Sequence, residues 1–132
     1  MKIFVIGHKS PDVDAVTCAI QYKNLLEKTN KYGGTEVIAT RAGELNIETK
    51  YIFDKFDINN PKPLDEYNVE PKDKFILVDH NEEVQRHEKI VPESVIGVID
   101  HHKVNMDFPK PIEITVKPLG STSTVIYKLF KE

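Results

Sequence analysis

A single cysteine, Cys18, stands among the 132 residues. That excludes an intramolecular disulfide and a thiolate-based zinc site, and it fits a reducing compartment. Long apolar runs are missing as well. The amino-terminal stretch from Ile3 to Ile6 is too short for a signal-peptide core or a membrane span. Nor is there an excess of positive charge: 18 bases face 21 acids, for a net charge of −3. Both signs are scattered along the chain, so no nucleic-acid footprint and no acidic tail stands out. Internal repeats and low-complexity segments are also absent. What these absences leave is a soluble, cytoplasmic single domain, long enough to bury a core, with neither nucleic acid nor membrane as its partner. An anionic substrate would need local positive charge, for example from metal ions.

What is present is an alternation of short buried strands and amphipathic helices. Ile3 to Ile6 is β-branched and aromatic and stops at Gly7, which suits a strand buried on both faces and delivers His8 at its carboxyl end. From Asp12 to Lys28, apolar residues at Ala15, Cys18, Ala19, Tyr22, Leu25 and Leu26 follow a period near 3.6 and predict a helix with acids in its first turn. Gly33 and Gly34 interrupt, Glu36 to Thr40 reads as a second strand, and Ile47, Tyr51, Ile52 and Phe56 carry helical spacing. Prolines at 61, 63 and 71 mark a surface connection. Phe75 to Val78, ending at Asp79, and Val95 to Ile99, ending at Asp100, are two further buried strands. Ile112 to Val116 is a weaker one, and Gly120-Ser121-Thr122 opens a last helix through Val125, Ile126, Leu129 and Phe130. Strands alternating with helices predict an α/β fold around a mainly parallel sheet. Ligands of such sheets bind outside the carboxyl ends of the strands, so His8, Asp79 and Asp100-His101-His102 are expected to share one edge.

Three motifs then carry the chemistry. In "GHKSPDVDA", His8, Asp12 and Asp14 surround a strand-to-helix turn. Two carboxylates two positions apart can each take a different cation of a pair, although helix capping alone accounts for aspartates there. In "ILVDHNE", Asp79 ends a buried strand; it can enter a turn through its side chain, or bridge two metals through its two oxygens. His80 and Glu82 read as surface residues or supports, and His87 as a solvated residue. In "IDHH", adjacent histidines cannot easily hold one ion when the backbone is extended, so one ligand and one separate role is the natural division. Each motif has an ordinary structural explanation, but three strand ends carrying His, Asp and His on one edge require three coincidences. Three clustered aspartates without cations would repel one another, whereas two divalent ions turn a −3 cluster into a +1 one. An oxygen and imidazole shell suits manganese, cobalt, zinc or iron.

The strings "GHKSPDVDA", "LVDHNE", "VIDHH" and "KPLGSTST", in this order, resemble the DHH phosphoesterase superfamily. More narrowly, the chain is similar over essentially its whole length to the amino-terminal domain of the manganese-dependent, family II inorganic pyrophosphatases. The resemblance implies a Rossmann-like three-layer DHH domain with a mainly parallel central sheet. It implies that His8 and Asp12 bind one metal, that Asp14 and His101 bind the other, and that Asp79 bridges them. The metals implied are two manganese ions, with cobalt, magnesium or zinc as alternatives. His102 is implied beside the substrate, as a hydrogen-bond donor or general acid, and Asp100 as the residue that orients the neighbouring histidines. The implied reaction is pyrophosphate plus water giving two phosphates, by in-line attack of an activated water. Ser121 and Thr122 read as helix capping. The family also implies a homodimer, a further aspartate ligand and a second domain bearing Lys and Arg. The chain stops at Glu132 before those last two, so it is expected to be an incomplete amino-terminal domain. Two other functions compete: a non-catalytic metal-binding or oligomerisation module, and a phosphodiesterase or nanoRNA nuclease of the same superfamily, which the "DHNE" string weighs against.

Overall fold

Five parallel strands in the order β2-β1-β3-β4-β5 form the centre of the computed structural model, which describes all 132 residues. They are β1 (Lys2–Ile6), β2 (Glu36–Thr40), β3 (Lys74–Val78), β4 (Val95–Asp100) and β5 (Glu113–Val116). The helices are α1 (Val13–Thr29), α2 (Ile47–Lys55) and α3 (Thr122–Phe130). The expected α/β fold with a parallel sheet is therefore present. The inner strands β1, β3 and β4 are the β-branched and aromatic runs of the sequence, and nearly every residue in them is buried. This is what a parallel strand covered on both faces requires.

The two faces of the sheet are covered differently. On one, α1 and α3 lie together, and Cys18, Ala19, Tyr22, Val125 and Ile126 pack onto Ile3, Val5, Ile76, Val78 and Ile99. On the other, Phe4, Ile6, Phe75, Leu77, Val95 and Val98 meet Leu64, Ile90 and the partly buried Met106, Phe108 and Ile112. That second layer is built of connecting loops and single 3-10 turns at Leu64–Glu66 and Pro92–Ser94, with no long helix. The helix α2 sits at the side, where Phe53 joins Val16 of α1 and Leu45.

Two sequence expectations need correction. Of Ile47, Tyr51, Ile52 and Phe56, whose spacing predicts a helix, only Ile52 packs inward, against the Phe53 cluster; the other three are exposed, Ile47 by 87%. The helix is anchored through Thr49 and Phe53, with Ile52 packed beside them. His87, expected in solvent, is only 3% exposed. Its Nε2 lies 2.9 Å from Asp65 Oδ1, and its Nδ1 accepts the N–H of Lys89, so it ties two loops of the second layer together.

The strand order fixes where a ligand can bind. From β1 the chain passes through α1 to β2 on one side, then returns across β1 to β3 on the other. The carboxyl ends of β1 and β3 thus straddle the point where the connections diverge, which in open α/β sheets leaves a crevice for ligands. Gly7 sits at that end of β1. A Cβ there would lie 2.7 Å from the Ala15 Cβ and 2.8 Å from the Ala15 carbonyl oxygen, so only glycine lets α1 pass this close to the strand end.

Candidate metal centre

His8 follows Gly7 directly after β1, Asp79 follows β3, and His101 and His102 follow β4, so hydrogen-bonded neighbouring strands present all four. Asp79 occupies the left-handed region at φ 61°, which aspartate tolerates better than most residues but which is held only where surroundings enforce it. Here its N–H donates to the Ile99 carbonyl across 2.9 Å. The result is a buried carboxylate whose two oxygens face different partners: Oδ2 is 3.3 Å from His8 Nε2, and Oδ1 is 3.3 Å from His101 Nε2.

Both of those histidines are oriented by main-chain oxygens. The Nδ1–H of His8 donates to the Lys9 carbonyl at 2.6 Å, and that of His101 to the Leu119 carbonyl at 3.0 Å. Each ring is thereby left with Nε2 directed at Asp79, the tautomer and orientation a metal-binding imidazole needs. His8 Nε2 is also 3.7 Å from Asp12 Oδ1. Asp12 doubles as the N-cap of α1, accepting the Ala15 N–H at 2.9 Å, so capping and proximity to His8 coexist in one residue. His8, Asp12 and Asp79 form one group able to hold a cation; Asp79, Asp100, His101 and His102 form a second. Asp79 belongs to both.

Asp14 does not cap α1. Its carboxylate turns to the start of α3, where Oδ2 accepts the Thr122 N–H and Oδ1 accepts the N–H and hydroxyl of Ser123. Oδ2 is 3.9 Å from His101 Nε2. Thr122 also donates its hydroxyl to Asp79 Oδ1 at 3.0 Å. Of the pair read as helix capping, then, Ser121 does cap, accepting the Thr124 N–H, whereas Thr122 is fully buried and faces the carboxylates.

The carboxylates and His8 perturb one another's ionisation. Burial pushes the Asp79 carboxyl up, reinforced by the neighbouring Asp14 and partly opposed by His8. The hydrogen bond to Asp79 raises His8 to about 9, against the opposing effect of its burial. Burial works to raise Asp14 too, yet the donors of Thr122 and Ser123 hold it below the usual carboxylate range. A proton on His8 is thus the only positive charge set between Asp12 and Asp79, where a divalent ion would satisfy the same oxygens.

Around this lies a ring of supporting contacts. Asp100 Oδ1 accepts the N–H groups of His101 and His102 and the ring Nδ1–H of His102, the last at 2.7 Å. Its Oδ2 accepts from Asn81. Asp100 therefore orients the ring of His102, while the ring of His101 is set by Leu119. His80, read as a surface or supporting residue, is completely buried and donates Nδ1–H to the Val78 carbonyl. Burial lowers it to about 4, so it adds no charge at neutral pH. Glu82 is half-buried, beside a turn at Glu83–Gln85. Asn81, Leu119 and Ser123 carry no role in the sequence, and Thr122 reads there only as a cap; a "DHN" run and a "GSTST" turn are the only signals that could mark them.

Residues 2–132 match the DHH family, N-terminal domain. Among curated proteins, the chain is 42% identical over 130 residues to a manganese-dependent inorganic pyrophosphatase of Methanothrix thermoacetophila, covering 98% of this chain and 40% of that one. It is 38% identical to a probable manganese-dependent inorganic pyrophosphatase of Oceanobacillus iheyensis, covering all of this chain and 41% of that protein. The chain thus spans about two fifths of the length of these relatives. The crystal structure of a Methanococcus jannaschii "putative family II inorganic pyrophosphatase" superposes with a TM-score of 0.82 at 33% identity, over 98% of this chain and 38% of that one. An exopolyphosphatase-related protein of Bacteroides fragilis shares the fold, with a TM-score of 0.71 at 22% identity over 98% of this chain and 39% of its own.

Proposed function

The chain belongs to the DHH family, whose N-terminal domain it matches, and on that premise we propose that it is the metal-binding part of a manganese-dependent inorganic pyrophosphatase. The observation that carries this reading is the division of Asp79: one carboxylate offers an oxygen at 3.3 Å to each of two histidines on opposite sides. A structural aspartate ending a strand has no need of that arrangement, and a carboxylate between two cations has. The donor set fits manganese: two imidazoles and three aspartates, with the one nearby sulfur, the Cys18 thiol, buried and donating to Asp14, and no cluster of thiolates as a structural zinc site needs.

On this reading His8 and Asp12 hold one ion, Asp14 and His101 the other, and Asp79 lies between them. When bound, such a pair of ions polarises phosphoryl oxygens and makes water acidic enough to attack phosphorus at neutral pH. The chain's own residues do the rest. His102 has its Nδ1–H on Asp100 and its ring 47% exposed. Its Nε2 is therefore the nitrogen that meets a substrate, donating to a phosphate oxygen when the ring is protonated and so assisting departure of the leaving phosphate. Asp100 keeps that ring from turning, and Leu119 and Lys9 keep Nε2 of His101 and His8 aimed inward.

The manganese-dependent relatives are more than twice as long as this chain, so full turnover is proposed for the two-part protein. Phosphate release from pyrophosphate, with manganese, is to be measured for the chain alone and joined to the remaining part of the Methanothrix relative. Release by the joined protein is the expected result, and none would overturn the reading. A homodimer belongs to the same reading: β5 is an edge strand whose backbone is unpaired on one side and whose Ile114 is exposed. Sedimentation in solution checks it.

A further inference from the structure

We propose that Thr122 and Ser123 are positioning residues that decide which carboxylate oxygens are free to bind the ion on the His101 side. The inference rests on the metal-centre reading above and concerns residues to which that reading assigns no role. A carboxylate oxygen has about two acceptor positions. At Asp14, Oδ1 is filled: it accepts the Ser123 N–H at 3.0 Å, the Ser123 hydroxyl at 2.7 Å and the Cys18 thiol at 3.3 Å. Oδ2 accepts only the Thr122 N–H, at 2.9 Å, and it is the oxygen that faces His101 Nε2. Asp14 can thus offer a cation one oxygen, through one remaining position, and the Ser123 hydroxyl helps hold the carboxylate in the orientation that turns that oxygen to His101.

At Asp79 the effect is one-sided in a complementary way. The Thr122 hydroxyl donates to Oδ1, the oxygen that faces His101, and makes no contact with Oδ2, which faces His8. Thr122 is fully buried at the first position of α3, so its hydroxyl has no water to turn to and is held on the carboxylate. Thr122 therefore acts on the two oxygens turned to His101, Asp14 Oδ2 and Asp79 Oδ1, while Ser123 holds the other oxygen of Asp14 and so sets which one turns there; neither donates to His8 or Asp12. Removing either should weaken one ion and spare the other. Partners of this kind change metal affinity by about 10- to 100-fold when lost.

Calorimetric titration with manganese, paired with electron paramagnetic resonance, tests this. The wild-type protein is expected to bind two ions and to show the broadened, exchange-coupled spectrum of a close pair. Thr122→Val, which keeps the shape and removes the hydroxyl, is expected to weaken one ion by about 10- to 100-fold and give the sextet of an isolated manganese at sub-saturating metal, with the other affinity unchanged. Ser123→Ala, which leaves the buried threonine in place, is expected to weaken the same ion. Thr122→Ser restores the hydroxyl and the coupled spectrum. Wild-type affinities in Thr122→Val and Ser123→Ala, equal weakening of both ions, or failure of Thr122→Ser to restore the pair would each overturn the inference. Failure of the wild-type protein to bind two ions would instead overturn the metal-centre reading itself. Melting curves of the metal-free variants separate loss of fold from loss of positioning.

Discussion

The ring of His102 lies against Asp100, its Nδ1–H donating to Oδ1 across 2.7 Å, so that one nitrogen is committed to the protein and Nε2 is left for whatever enters the crevice. Asp100 itself is completely buried and every one of its contacts is with an N–H group. In Asp100→Asn, an amide NH2 must face one of those donors. The expected cost is roughly 1–3 kcal/mol of stability, measured by urea unfolding, together with a changed tautomer balance at His102 in ring-nitrogen NMR. An unaltered His102 spectrum would show that the ring is held by something else.

Metal binding should release a proton at neutral pH. Without metal, His8 is held protonated up to about 9 by Asp79, and a divalent ion needs the bare Nε2. Calorimetry in buffers of different ionisation enthalpy at pH 7.5 should therefore count close to one proton expelled from His8, falling toward none above pH 9. The same group sets a stability trend in the metal-free protein. Its folded pKa is raised above the unfolded value of about 6.5, so its stabilisation is complete below that value and is lost as pH rises through about 9. Unfolding after chelation should become easier over that window in wild type, and His8→Gln should flatten the slope.

Gly7→Ala should be costly out of proportion to one methyl group. The new Cβ would meet both the side chain and the backbone of Ala15 below 3 Å, and a displaced α1 carries Asp12 and Asp14 with it. We expect about 1–3 kcal/mol of destabilisation and weaker manganese binding. Gly34→Ala, where a Cβ meets nothing within 4 Å, is the control that should leave both unchanged.

On α2 the two faces should respond oppositely to truncation. Phe53→Ala empties a buried site beside Val16 and Leu45 and is expected to cost about 3–5 kcal/mol. Ile47→Ala, on the exposed face, should stay within about 0.5 kcal/mol of wild type. Equal effects in urea unfolding would mean that the helix packs through the other face.

The sheet was legible because its inner strands are unbroken apolar runs, and the convergence of His8, Asp79 and His101 followed once a parallel sheet was inferred. Each polar residue comes within two positions of the end of such a run, and parallel strands all end on the same side. The parts that escaped lack any such local mark. Leu119 acts through its carbonyl, which every residue possesses, and Thr122 reaches Asp79 across 43 positions and Asp14 across 108. Nothing near "GSTST" shows that α3 folds back against the start of α1, so its hydroxyls read as caps. The periodicity of α2 failed for a different reason: three apolar residues at helical spacing do define a face, but in a short helix at the domain edge that face is free to point outward.

The adjacency of β1, β3 and β4 has a further consequence. Hydrogen-bonded strands stand about 4.8 Å apart, and the anchor points of His8, Asp79 and His101 inherit that interval from the sheet. The backbone thus serves as a ruler for any pair of ions seated there. Exchanging one side chain alters how tightly an ion is gripped, but widening or narrowing the gap between the two would require a different strand order.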